Sequence, residues 1–203
     1  MSENLNTTLT SNPGPLGLCG FGMTTVLLNL HNSGLFKLDA MILAMGIFVG
    51  GIAQLIAGVL ESKKNNTFGL TAFVLYGSFW LTLVALILMQ KFSAIEAVST
   101  PSMTAFLFVW ALITSMFLVG STRISKALMV VFILLTLLFL LLAFSELFGS
   151  SSLKVFAGFE GIVCGLSALY LAAATIINEV FDETLLPIGT YTNKSKTPLT
   201  LID

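Results

Sequence analysis

Six long apolar stretches, separated by short polar segments, occupy most of this chain. They run from Pro15 to Asn32, Leu38 to Leu60, Phe68 to Met89, Met103 to Gly120, Ala127 to Leu147 and Phe156 to Asn178. An α-helix needs about 20 apolar residues to cross the hydrocarbon core of a bilayer. Hydrophobic residues make up 56% of the chain and charged residues only 9%, which is far from the composition of a soluble domain. We therefore expect an all-α integral membrane protein with six transmembrane helices.

The polar segments predict how the chain is divided and oriented. We expect an N-terminal segment over residues 1–12, a transmembrane domain over 13–180 and a tail over 181–203. With the N-terminus in the cytoplasm, six Lys and Arg residues fall inside and three outside. The inside set is Lys63, Lys64, Arg123, Lys126, Lys194 and Lys196, and the outside set is Lys37, Lys91 and Lys154. Because cytoplasmic loops are enriched in Lys and Arg, both termini are expected to be cytoplasmic.

Few residues are suited to catalysis or metal binding. The chain has a single histidine, His31, and its two cysteines, Cys19 and Cys164, both fall inside predicted spans. This composition yields no metal-ligand cluster and no nucleophile–base pair. The net charge of −1 gives no reason to expect a nucleic-acid partner. We expect neither an enzyme nor a bound cofactor or metal, and we expect a multi-pass protein of the cell membrane, the inner membrane in a Gram-negative bacterium.

Polar side chains inside the spans are the first candidates for a functional site. They include Thr24, Thr25 and Asn29 in the first span, Gln54 in the second, Tyr76 in the third and Glu160 in the sixth. Polar groups are costly in hydrocarbon, so they usually face the bundle interior or a water-filled path. A hydroxyl can instead bond the carbonyl one turn back. Glu160 is either a proton carrier or a structural acceptor for a neighbouring helix.

No predicted span carries Lys or Arg at its centre, so a bound anion would depend on hydroxyls, amides and backbone N–H groups. Weak binding of this kind suits a pathway that solutes must leave as readily as they join it. Small residues also recur at helical spacing, as in Gly46 and Gly50 or Gly161 and Gly165. Such pairs favour close helix packing, either within one protomer or between protomers.

The heptapeptide NPGPLGL at residues 12–18 opens the first span. Proline is tolerated in the first turn of a helix, as Pro15 would be, and a helix N-terminus there would direct free N–H groups toward an anion. The alternative is a simple helix cap with close packing. The segment resembles the NPAPLGL motif of the acetate uptake transporter family, with Gly14 in place of alanine. The match continues at residues 20–25, 50–54, 66–73 and 76–80, so it is dense over the first three spans and thinner beyond them.

This resemblance implies a hexamer in which each six-helix protomer encloses its own pore for acetate, and in some members for succinate. It implies a narrow apolar constriction formed by Phe21, Tyr76 and a leucine of the fifth span, which we place at Leu135. The remaining residues assigned to the substrate pathway are Asn12, Pro13, Pro15, Leu16, Thr24, Thr25, Asn29 and Gln54, with Glu160 as the candidate proton relay.

Two other classes of function fit the same residues. A channel for a small uncharged solute such as ammonia or urea would use a similar apolar waist and similar hydroxyl-bearing faces. A membrane sensor or assembly subunit would transport nothing. Flux of labelled acetate, measured with and without a pH gradient, distinguishes these two classes from a carboxylate transporter.

Overall fold

The computed structural model describes residues 11–92 and 96–191, and these contain six long helices. They are α1 (Gly14–Asn32), α2 (Ala40–Ser62), α3 (Thr67–Lys91), α4 (Thr100–Ser121), α5 (Lys126–Phe148) and α6 (Ser151–Phe181). By length and composition, α2 to α6 are each able to cross a membrane. The 19 residues of α1 rise about 28 Å, close to the thickness of the hydrocarbon core. The six predicted helices are therefore confirmed, each within a few residues of its expected bounds.

Polar side chains mark where several helices begin. The side chains of Asp39, Asn66, Ser99, Ser125 and Ser150 each accept a hydrogen bond from a backbone N–H in the first turn of the helix that follows. Such caps satisfy donors that have no partner inside the helix. The short polar segments thus connect the apolar spans outside the membrane and also supply the residues that cap the next helix.

Helices α1 and α6 are antiparallel and in very close contact. A Cβ atom added at Gly158 would meet the backbone of Ser33, one at Gly161 would meet Asn29, and one at Gly165 would meet the carbonyl of Gly22. The small-residue stripe of the sixth span therefore serves packing within the protomer. The stripe of the second span does the same against other partners, because Gly46 and Gly50 lie against Trp80 of α3.

Helix α2 changes its winding in the middle of the membrane-spanning segment. Residues Gly46–Ala53 form a π-helix, and the α-helical pattern resumes at Gln54. π-Helical turns are rare in proteins, and those that occur are often found at functional sites. The π-helical segment ends directly before Gln54, which is one of the polar residues assigned to the pathway.

The chain beyond α6 returns to the start of α5. We call residues 183–191 the C-terminal strap. The backbone N–H groups of Lys126 and Ala127 donate to the carbonyls of Gly189 and Ile188 at 2.9 and 3.0 Å. The strap therefore accepts hydrogen bonds from two N–H groups in the first turn of α5. The side chain of Asn178 both donates to and accepts from the backbone of Leu186, at 2.8 and 2.9 Å.

The expected division at residues 13 and 181 lies close to the ends of α1 and α6. Parts of the two terminal segments, 1–10 and 192–203, lie outside the described residues, as do Lys194 and Lys196 of the charge argument. The cytoplasmic placement of both termini stays a prediction.

Candidate functional site

A cavity of about 370 Å³ lies at the end of the bundle where α1 begins. We call it the vestibule. All the helices except α4 contribute to its wall, together with the loop between α4 and α5 and the C-terminal strap. Its polar lining residues are Asn12, Gln54, Glu61, Asn66, Tyr76, Ser125, Thr175 and Thr190, and the rest of the wall is mainly apolar. No Lys or Arg is among the described residues that line it.

The three residues of the predicted constriction meet at the inner end of the vestibule. Phe21, Tyr76 and Leu135 are the deepest lining residues on α1, α3 and α5, counted from the helix ends at the vestibule. Their exposed fractions are 7%, 3% and 3%. The ring centroids of Phe21 and Tyr76 are 5.9 Å apart. The vestibule therefore ends at a plug of packed apolar side chains.

The hydroxyl of Tyr76 is held by a second helix. It lies 2.9 Å from Oγ1 of Thr114 in α4, and that threonine donates its own proton to the carbonyl of Trp110 at 2.7 Å. Since a threonine hydroxyl has a single proton, Tyr76 is the donor in the first of these bonds. The rings of Trp110, Phe117 and Phe132 also pack around Tyr76. The Tyr76 ring is thus fixed in place and its proton is already engaged.

Gln54 lies at the vestibule and is 1% exposed. Its Oε1 atom is buried and has no hydrogen-bond partner among the described residues. Leaving a buried polar group without a partner costs about 1–3 kcal/mol. A lining amide in this state is suited to receive a hydrogen bond from water or from a protonated solute.

The motif that opens α1 contributes only part of its length to the vestibule. Asn12 and Pro15 line the cavity, and Asn12 Oδ1 accepts from the backbone N–H of Gly14 at 3.2 Å. Pro13 is buried and does not line the cavity, and its carbonyl accepts from Gly17 at 3.3 Å. Leu16 is 44% exposed and is not a lining residue.

Three polar residues of α1 are buried in helix packing and do not line the vestibule, namely Thr24, Thr25 and Asn29. Thr24 donates to the carbonyl of Gly20 at 2.6 Å, which is the bond one turn back that its sequence position allowed. Asn29 donates to the carbonyl of Thr25 at 2.9 Å and packs against Gly161 of α6. These residues have the contacts of a helix interface.

Glu160 lies beyond the constriction, seen from the vestibule. Its neighbour Gly161 packs on Asn29, which is eight residues past Phe21, or about 12 Å along α1. Both carboxylate oxygens of Glu160 are buried and have no hydrogen-bond partner among residues 11–92 and 96–191. The acceptor bond to a neighbouring helix, which was the structural alternative for this residue, is therefore absent from the described part of the chain.

Glu61 was not among the residues that the sequence analysis assigned to the pathway. The structure places it in the last turn of α2, 3% exposed and lining the vestibule. Its Oε2 accepts from Nδ2 of Asn66 at 2.7 Å, and Asn66 Oδ1 caps α3 through the N–H of Gly69. The sequence did contain a signal, because Glu61 and Asn66 lie five residues apart on either side of the tight turn between α2 and α3.

A helical membrane protein with a vestibule that carries a few polar groups and ends at an apolar constriction belongs to the structural class of transporters and channels. The sequence profile of the GPR1/FUN34/yaaH family matches residues 2–187. The chain belongs to this family.

Three relatives indicate how broad that family is. The succinate-acetate/proton symporter SatP of Escherichia coli (strain K12) is 52% identical over 185 residues, covering 91% of this chain and 98% of that protein. A solved structure of the bacterial acetate channel SatP matches with a TM-score of 0.87 and 53% identity, covering 89% of this chain and 99% of that one. Ammonia transport outward protein 2 of Saccharomyces cerevisiae is 31% identical over 173 residues, covering 82% of this chain and 61% of that protein.

Proposed function

We propose that this chain transports acetate, and also succinate, across the cell membrane through a pathway inside each protomer. The observation that carries the proposal is the meeting of Phe21, Tyr76 and Leu135 at the inner end of the vestibule. The relatives at 52% and 53% identity are named for succinate and acetate transport and for an acetate channel. In a Gram-negative bacterium the site of action is the inner membrane, with both termini in the cytoplasm and the vestibule facing it.

The expected wall chemistry agrees with a weakly held small acid. The described lining residues offer amides, hydroxyls and one carboxylate, and they offer no fixed positive charge. An anion is therefore not bound tightly, and a small solute that is partly apolar can leave as readily as it arrives. The remaining assigned residues of α1, including Pro13 and Leu16, act by shaping the helix that carries Phe21.

Protons are coupled to this movement through Glu160. Carrying one negative charge into a cell against the membrane potential costs about 2.3 kcal/mol per 100 mV, and a proton travelling with acetate removes that cost. Glu160 is suited to carry it because its carboxylate is buried without a partner past the constriction. Six such protomers, each with its own pathway, assemble into a homohexamer, and the size of the purified complex tests this.

The deciding experiment measures uptake of labelled acetate by proteoliposomes with and without an inward proton gradient. Proton-coupled transport predicts faster uptake when the outside is acidic. Replacing Glu160 with Gln should abolish this acceleration while acetate exchange continues. The matched control is Glu146→Gln, which removes a carboxylate whose described partner is Lys154 at 3.9 Å. Undiminished pH dependence in Glu160→Gln would rule out the relay.

A second candidate is a channel for ammonia, favoured by the 31% identity to the yeast protein named for outward ammonia transport. The same vesicles distinguish the two, because ammonia flux would be independent of membrane potential and unaffected by excess acetate. Absence of any solute flux would indicate a sensor or assembly subunit and would refute both transport proposals.

A further inference from the structure

We propose that Glu61 sets the charge selectivity of the vestibule by repelling anions, so that it discriminates against dianions such as succinate more strongly than against acetate. This inference rests on the proposed function. It concerns a residue that lies at the vestibule wall, one residue before the end of α2.

The carboxylate of Glu61 has one hydrogen-bond partner and lies close to the starts of two helices. The carboxylate accepts a hydrogen bond from Asn66 at 2.7 Å, and a Cβ atom added at Gly14 or Gly69 would lie 3.5 Å or less from a side-chain atom of Glu61. Both glycines are in the first turn of a helix, α1 or α3. The N-terminal end of a helix carries partial positive charge and stabilises a nearby carboxylate.

No opposite charge on the wall cancels this carboxylate. Among the described lining residues there is no Lys, Arg or His, and no second Asp or Glu. The nearest basic residues in sequence, Lys63 and Lys64, are exposed in the loop after α2. The carboxylate of Glu61 is therefore the only full charge among the described side chains of the wall, and the nearby helix ends add partial charges of both signs.

The size of the effect follows from Coulomb's law. Two unit charges about 10 Å apart, at an effective dielectric constant of about 20, repel strongly enough to weaken binding roughly tenfold. The electrostatic free energy is proportional to the charge of the solute. The binding of a dianion in the same potential is therefore weakened by the square of that factor, about a hundredfold.

This proportionality to charge gives the test. We would measure equilibrium exchange of labelled acetate and succinate at pH 7.5, with equal concentrations on both sides of the vesicle membrane, so that the vestibule fills whichever way it faces. In Glu61→Gln the KM for acetate should fall about tenfold and the KM for succinate about a hundredfold. Glu61→Asp keeps the charge and should leave the ratio of the two constants near that of the wild type. Glu146→Gln should also leave it unchanged.

A second variant tests the same potential without altering the contacts of Glu61. Thr190 lies on the exposed strap and lines the vestibule, so Thr190→Lys adds a positive charge there. It should lower both KM values, again more for succinate. Equal changes for the two acids, or no change in Glu61→Gln, would overturn the inference while wild-type exchange still supported the proposed function. A wild-type protein that exchanges neither acid would refute both.

Discussion

Replacing Phe21 with alanine tests whether the constriction limits the size of the solute. The ring centroids of Phe21 and Tyr76 are 5.9 Å apart. The rings are tilted by 56° to each other, and aromatic rings packed in this way have centroids about 4.5–7 Å apart. The two rings are therefore in contact, with no room for water between them. Removing the Phe21 ring takes away one whole side of this plug.

The variant should therefore admit longer acids. Acetate needs only a small displacement of the rings, whereas succinate needs a larger one, so the loss of the ring lowers the barrier for succinate more. If the difference between the two barriers falls by about 1.4 kcal/mol, the ratio of succinate to acetate flux rises about tenfold. The assay is uptake of both labelled acids by proteoliposomes. Phe106→Ala serves as the control, since its ring packs on Phe79 away from the vestibule.

The Phe21→Ala substitution should also lower the stability of the protein. Truncation of a buried Phe usually costs about 3–5 kcal/mol, and less where water can fill the space. Because the site adjoins the vestibule, we expect the cost at Phe21 to lie at or below the lower end of this range. An unchanged ratio of succinate to acetate flux in a folded Phe21→Ala protein would refute a selective role for this ring.

Two further predictions concern packing and the C-terminal strap. Gly158→Ala should lower the thermal unfolding temperature, with a cost of about 1–3 kcal/mol from overpacking, because the added Cβ would meet the backbone of Ser33. Gly120→Ala, whose Cβ would meet only the ring of Phe68, should lower it less, and an equal loss would contradict the proposed contact. Asn178→Ala should speed proteolysis within the strap, since it removes two hydrogen bonds worth about 1 kcal/mol each. Asn178→Asp keeps the acceptor and should have a smaller effect. Equal cleavage rates in the wild type and the two variants would show that the hydrogen bonds of Asn178 do not hold the strap.

The membrane-spanning helices could be predicted from the sequence because the bilayer fixes their length. The apolar stretches ended within a few residues of the helix ends, where Asn66 and Ser125 cap the next element. The constriction could be placed through the resemblance at Phe21 and Tyr76, which lie in motifs. Leu135 lies in a leucine-rich run without a motif, and the structure brings it to the vestibule with the other two.

Other parts of the site depend on tertiary contacts that no local pattern encodes. The π-helical turn before Gln54 arises where glycines allow α2 to approach α3 closely, and glycine spacing alone predicts only close packing. Glu61 lies just past the second apolar stretch and was not assigned to the pathway, and its burial depends on the start of α1, which is distant in sequence. The strap contains no long apolar run, and its position follows from hydrogen bonds to α5 and α6.

The arrangement of the two buried glutamates bears on how charge crosses the bundle. Glu61 lies at the vestibule, and Glu160 lies about 12 Å past Phe21, so an apolar plug separates the two carboxylates. An anion that reached the plug would leave water while facing a wall with no described positive charge. The neutral acid avoids this desolvation cost, because a charge is far more expensive to bury than a hydrogen-bonded neutral group. Under the proposed uptake, Glu160 on the far side of the plug would give its proton to the incoming carboxylate, and the neutral acid would then cross the plug and release the proton in the vestibule.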